Sequence, residues 1–186
     1  MGLDIHLRVN NSEEIALEYF ENSHLYSLSR EFCNLICRPD VIEHKPELDQ
    51  IGEITNTEIS LFYKMTEYPS EEEVLDMIEF AKNNTERERL KSDFEKRKQK
   101  VNGNIKQLSL LVVNLISKLE NVNDLYQRLI ITDFDSLNST YYFSDFKKDK
   151  GKGYIGNNFG QDLRNLKRFL KLATERGSET VWFEFG

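Results

Sequence analysis

The chain lacks any apolar run approaching the roughly 20 residues needed to cross a bilayer, so no membrane partner is expected. Its first residues, MGLDIHLRV, hold no basic region leading into an apolar stretch and a cleavage site, and no secretory leader is expected. His6 stands where N-myristoylation needs Ser or Thr. Cysteine is scarce: two residues make no disulfide framework. These absences point to the cytoplasm. Basic residues are scarce in one half only. Residues 1–80 carry 5 Lys and Arg against 18 Asp and Glu, a charge of −13, whereas residues 81–186 carry 20 against 14, or +6. Such halves either neutralise each other within one fold or offer faces of opposite sign to partners.

What remains is a chain of 186 residues, read as a single domain, 1–186, with room for a real core. LDIHLRV (3–9) alternates apolar and polar residues, the signature of a half-buried strand. SLSREFCNLIC (27–37) places Leu28, Phe32, Leu35 and Ile36 on one helical face, with Pro39 ending the element. Residues 40–57 are polar and read as a loop, and EISLFYKMT (58–66) alternates as a second strand. Ser70 with Glu73 predicts a capping box, and Thr85 with Glu88 a second. From Phe94 a heptad-like seam runs through Val101, Ile105, Leu108, Val112, Leu115 and Leu119, weakened at Gly103. The seam is expected to build a helical hairpin over about 70–120 that projects from the domain, or to join two copies as a homodimer. LYQRLII reads as a helix end or a strand, and STYYFSDF as an aromatic strand. Residues 161–175 form an amphipathic helix, and TVWFEF closes in a strand. The expected fold class is α+β: a small, mostly antiparallel sheet using both chain termini, packed on helices.

One stretch, DKGKGYIGNNFG (149–160), spaces Gly151, Gly153 and Gly156 as G-x-G-x-x-G. A dinucleotide fingerprint needs a strand directly before the first glycine and a helix at the third, and intervening residues break both junctions. Nor is it a P-loop, since no Ser or Thr follows Lys152. A weaker anion site stays open. Lys147, Lys148, Lys150 and Lys152 surround the glycines, and the next helix carries Arg164, Lys167, Arg168 and Lys171 in one stripe. A helix start and inward-turned amides would add to that charge and bind a phosphate, a nucleotide, a nucleic acid backbone or an acidic protein surface. The competing reading is a lysine loop beside a solvated helical face.

LIITDFDSLNST (129–140) resembles the first motif of haloacid-dehalogenase-type phosphatases. That resemblance implies Asp133 as nucleophile, Asp135 as acid/base and magnesium nearby. Ser136-Leu137 replaces the Gly-Thr of that motif, and only 51 residues follow Asp135. Both aspartates are read instead as capping or turning the chain before the next strand. Cys33 and Cys37, four apart in an apolar helix, lack zinc-knuckle spacing and read as packed thiols, with His24 and His44 near in sequence. His6 has no Ser or Cys nucleophile set beside it by any motif. No catalytic residue, metal or cofactor is assigned.

Met1 to Asp4, Tyr141-Tyr142-Phe143, the helix from 161 and Trp182-Phe183 resemble a loose group of small phage and bacterial proteins of unknown function that open Met-Gly-Leu-Asp. SREFCNLIC departs from that pattern, lacking its tryptophans and histidine. The resemblance implies the element order and a mobile-element setting, in which proteins that bind and block a target are common. The expected function is that of a non-enzymatic interaction protein with a protein partner. The alternatives are a phosphate-ligand protein at the basic glycine loop and a magnesium phosphohydrolase at Asp133.

Overall fold

The computed structural model describes residues 4–37, 45–130 and 141–186. Strand β1 (Ile5–Val9) alternates as its sequence dictates, with Ile5, Leu7 and Val9 buried and His6 and Arg8 exposed. Its antiparallel partner is β2 (Val181–Phe185), in a register that sets Ile5 opposite Phe185 and Val9 opposite Val181. The two ends of the described chain therefore close one two-stranded sheet, and the protein is α+β. The inner face of the sheet rests on the helices: Phe183 meets Phe32 edge-on at 6.0 Å, and Phe32 meets Phe62 at 6.2 Å.

Between the strands the chain is helical. A 3-10 turn (Ser12–Glu14) leads to α1 (Ala16–Glu21), α2 (Ser23–Tyr26) and α3 (Arg30–Cys37). Helices α4 (Glu47–Thr55) and α5 (Ser60–Thr66) follow, and both correct the sequence reading. The polar 40–57 stretch holds α4 because Leu48, Ile51, Gly52 and Thr55 fall at i, i+3, i+4 and i+7 and are all buried. Gly52 admits Ile59 so closely that an added Cβ would lie 3.1 Å from its Cγ1. The run at 58–66 is helical, not a strand. Its apolar residues fit both periods, and helical geometry buries Leu61, Phe62 and Met65 together.

Helix α6 (Glu71–Glu79) starts at Ser70, whose hydroxyl accepts from Glu73 N at 3.0 Å as its capping box predicts. Helix α7 (Asn84–Gln99) is capped by Asn83 instead of Thr85, through Glu86 N at 2.9 Å. The seam is buried throughout but is divided. Residues 100–104 turn, Gly103 takes φ +68°, and α8 (Ile105–Leu119) begins afresh. Asn104 fixes this break by pairing its side-chain amide with Val181 N and O at 2.9 and 2.8 Å. Consequently α6 and α7 form the hairpin, whereas α8 lies along α10 (Phe159–Glu175). The seam is thus buried in contacts within its own chain. Short α9 (Leu125–Arg128) precedes residues 131–140, which lie outside the description together with the Asp133-Phe134-Asp135 motif. The aromatic stretch from Tyr141 is a turn, not a strand: its rings are drawn to the core, with Tyr142, Phe143 and Phe146 buried beside Phe159.

Candidate functional site

Three features bear on function: the glycine loop, a buried carboxylate beneath it, and a cleft beside the hairpin. The loop is folded back on the protein. Gln161, in the first turn of α10, accepts from Lys150 N (2.8 Å) and Gly151 N (2.7 Å) and donates to Gly151 O (2.9 Å). Lys152 N donates to Ile155 O at 3.0 Å. Three successive amides thus point into the protein, where a phosphate cradle would turn them to a ligand. The glycines answer to geometry: a Cβ on Gly151 would lie 2.2 Å from Asn157 Oδ1, and Gly153 and Gly156 adopt φ of +82° and +70°. At the helix start Phe159 N donates to Tyr142 O, and Gln161 N donates to the capping Asn158.

Half of the basic residues around the loop are engaged. Lys150 pairs with Asp145 at 3.0 Å and lies 4.0 Å above the Tyr141 ring. Arg164 pairs with Asp149 at 2.6 Å and donates to Phe146 O. Arg168 donates to Leu25 O and Asn165 Oδ1, and Lys171 approaches Glu175 at 3.7 Å. Of the candidate cations, Lys147, Lys148, Lys152 and Lys167 are exposed without an ion pair among the described residues. The structure therefore brings loop and helix together through internal pairing and leaves four lysines around them unpaired among the described residues.

Beneath the loop lies Asp162, fully buried on the apolar face of α10. One oxygen accepts from Ser29 N (3.1 Å) and Asn157 Nδ2 (2.7 Å), the other from Ser29 Oγ (2.5 Å) and Tyr142 OH (2.9 Å). Burial pushes its carboxyl up to about 7, although these donors hold it down. Tyr142 is raised well above its ordinary value, by burial first and then by the neighbouring Asp162. Ser29 also accepts from Phe32 N at 3.2 Å, so this cluster joins the start of α3 to α10 and to the aromatic turn. Its chemistry is structural, for the carboxylate is spent on four donors and sealed from solvent. The sequence does carry a signal for it: Asp162 shares a helical face with Phe159, Leu166 and Phe169.

Cys33 and Cys37 place their sulfurs 3.5 Å apart on α3, and His24 is exposed against Gly153. His44 is outside the described residues. Among the described residues no three His, Cys, Asp or Glu side chains group to hold a metal ion.

The hairpin presents a different surface. Not one residue of α6 is fully buried: Val74 and Ile78 are half-buried, while Leu75, Met77 and Phe80 are 68, 44 and 81 % exposed. Helix α7 buries only Phe94. The base of the hairpin is pinned by Arg97, which grips both oxygens of Glu73 (2.6 and 3.2 Å) and donates to Glu67 O at 2.7 Å. Between this base and the solvent face of the sheet runs a cleft of about 970 Å³. Tyr68 stacks on Trp182 along it, ring centroids 4.1 Å apart, and Leu75 and Val74 also line it. Neither Leu75 nor the Tyr68–Trp182 pair stands out in sequence, because their apolar character is that of ordinary core residues.

No family model, curated protein or solved structure matches the chain. Among the described residues no helix is long and apolar enough to cross a membrane.

Proposed function

We propose that the chain is a non-enzymatic interaction protein that binds a protein partner, and so blocks or modulates it, through the α6–α7 hairpin and the cleft at its base. The observation that carries this reading is the exposure of Leu75 and Met77 on α6 and of Phe80 at its end, on a helix with nothing fully buried, whereas α8 and α10 each bury an apolar face even though α8 also exposes Leu110 and Val113. Exposed apolar side chains rimmed by charge mark surfaces awaiting a partner. The mobile-element setting implied by the Met-Gly-Leu-Asp resemblance suits an inhibitor or immunity-type role in the cytoplasm. The phosphate-ligand reading has less support, since the amides of Lys150, Gly151 and Lys152 and four of the eight cations already have partners. The test is affinity capture with the wild type and with a Leu75→Ser/Phe80→Ser double variant. The wild type is expected to retain one stoichiometric protein that the variant releases while keeping its melting temperature. Equal capture by both forms, or none by the wild type, overturns the reading.

A further inference from the structure

Resting on that reading, we infer the chemistry of the partner: the cleft between the sheet and the hairpin docks a cationic amphipathic helix. The charge around the cleft decides this. Helix α6 carries Glu71, Glu72, Glu73, Asp76 and Glu79 and neither Lys nor Arg. Among the described residues only Glu73 of these has an ion-pair partner. Ser12, which also lines the cleft, opens a turn whose next residues, Glu13 and Glu14, are exposed and likewise unpaired among the described residues. The cations that line the cleft are both engaged, Arg8 with Glu184 at 2.5 Å and Lys98 with Glu95 at 3.4 Å. The unpaired charge that lines the cleft is therefore that of Glu71 and Glu72, negative, while Leu75, Val74, Tyr68 and Trp182 offer apolar contact.

A helix with one apolar and one basic face satisfies both at once, in the manner of an amphipathic helix laid into a groove. Size agrees: a helix about 10 Å across fills about 400 Å³ per turn, so a cleft of about 970 Å³ takes roughly two turns. A second copy of the chain is a poor occupant. Its cationic helix α7 buries one residue and has no apolar face, its α10 is buried, and apposed α6 helices would set carboxylates against each other.

The test is calorimetric titration of the full chain with a synthetic helix of alternating Leu and Lys faces. A peptide of the same apolar pattern with Glu for Lys is the control. The Lys peptide is expected to bind one to one, more weakly as salt rises, and the Glu peptide not at all. Glu71→Lys/Glu72→Lys and Leu75→Ser are each expected to weaken it at least ~10-fold, one factor of ten being about 1.4 kcal/mol. Glu120→Lys, at the end of α8 and outside the cleft, is expected to change it less than ~2-fold, within the small loss of long-range attraction that any exposed charge brings. No binding of the Lys peptide, equal binding of the Glu peptide, or equal losses in all variants overturns the assignment. If the capture experiment still returns a partner that the Leu75→Ser/Phe80→Ser variant releases, the interaction reading survives and only the cationic-helix assignment falls. If capture fails as well, both fall.

Discussion

Helices α10 and α6 both begin with a capping side chain and both are amphipathic in sequence, yet they meet opposite ends. Eleven of the 17 residues of α10 are buried, and its polar residues find partners inside the molecule: Gln161 in the glycine loop, Asp162 in a four-donor cluster, Arg164 on Asp149. None of the nine residues of α6 is buried, and most of its carboxylates face solvent unpaired among the described residues. The basic stripe of α10, conspicuous in sequence, is largely consumed by the fold, whereas the plainer acidic α6 is left free. Charge density alone does not distinguish a site from a scaffold. What distinguishes them is whether the fold has already supplied the counter-charges.

The sharpest break of this contrast comes from truncating each helix. Phe169→Ala in α10 should cost about 3–5 kcal/mol in urea unfolding, because the ring is fully buried and meets Tyr19 and Tyr26 edge-on. Gly160→Ala should cost about 1–3 kcal/mol by the same measurement, since the new methyl would sit 1.9 Å from Phe146 O. Asp162 adds a pH dependence. Its carboxyl is raised from 3.8 unfolded to about 7 folded, so the native state holds the proton more tightly. Stability owed to this group is full below pH 4 and is lost as pH rises towards 7. Comparing wild type with Asp162→Asn over that range should show the wild type falling relative to the variant; parallel curves would remove the titration from Asp162. In the hairpin, Glu73→Ala should cost about 1 kcal/mol or less, because both partners of its ion pair are about one-third exposed. Phe80→Ser should shift stability by no more than about 0.5 kcal/mol, as for an exposed side chain. A large loss there would mean that α6 belongs to the core and would erase the contrast.

Much of the frame was legible. The alternation of 3–9 and of TVWFEF, the Ser70 capping box and the apolar stripe of 161–175 all appear where periodicity puts them. The failures share a physical origin: short runs in which the residues doing apolar work are not conventionally apolar, or fit two periods. Gly52 and Thr55 complete the stripe of α4, Leu61 and Met65 lie four apart as well as alternating, and the rings of the aromatic turn serve the core instead of a strand. The seam was correct residue by residue, and Gly103 was recognised as its weak point. The hydrogen bonds from Asn104 to β2 that turn a weak point into a break lie 77 residues away in sequence. For the candidate site, the acidity of the first half was visible. That the cations of the cleft are paired while Glu71 and Glu72 are not is a property of three-dimensional neighbours alone.

The chain contains a single tryptophan, Trp182, and it is the ring stacked on Tyr68 at the cleft. Its ultraviolet emission therefore reports from one wall of that cleft without any added label. The protein carries its own optical gauge of occupancy there: a guest that displaces water from the indole shifts its emission to shorter wavelength, and one that parts the two rings alters its intensity.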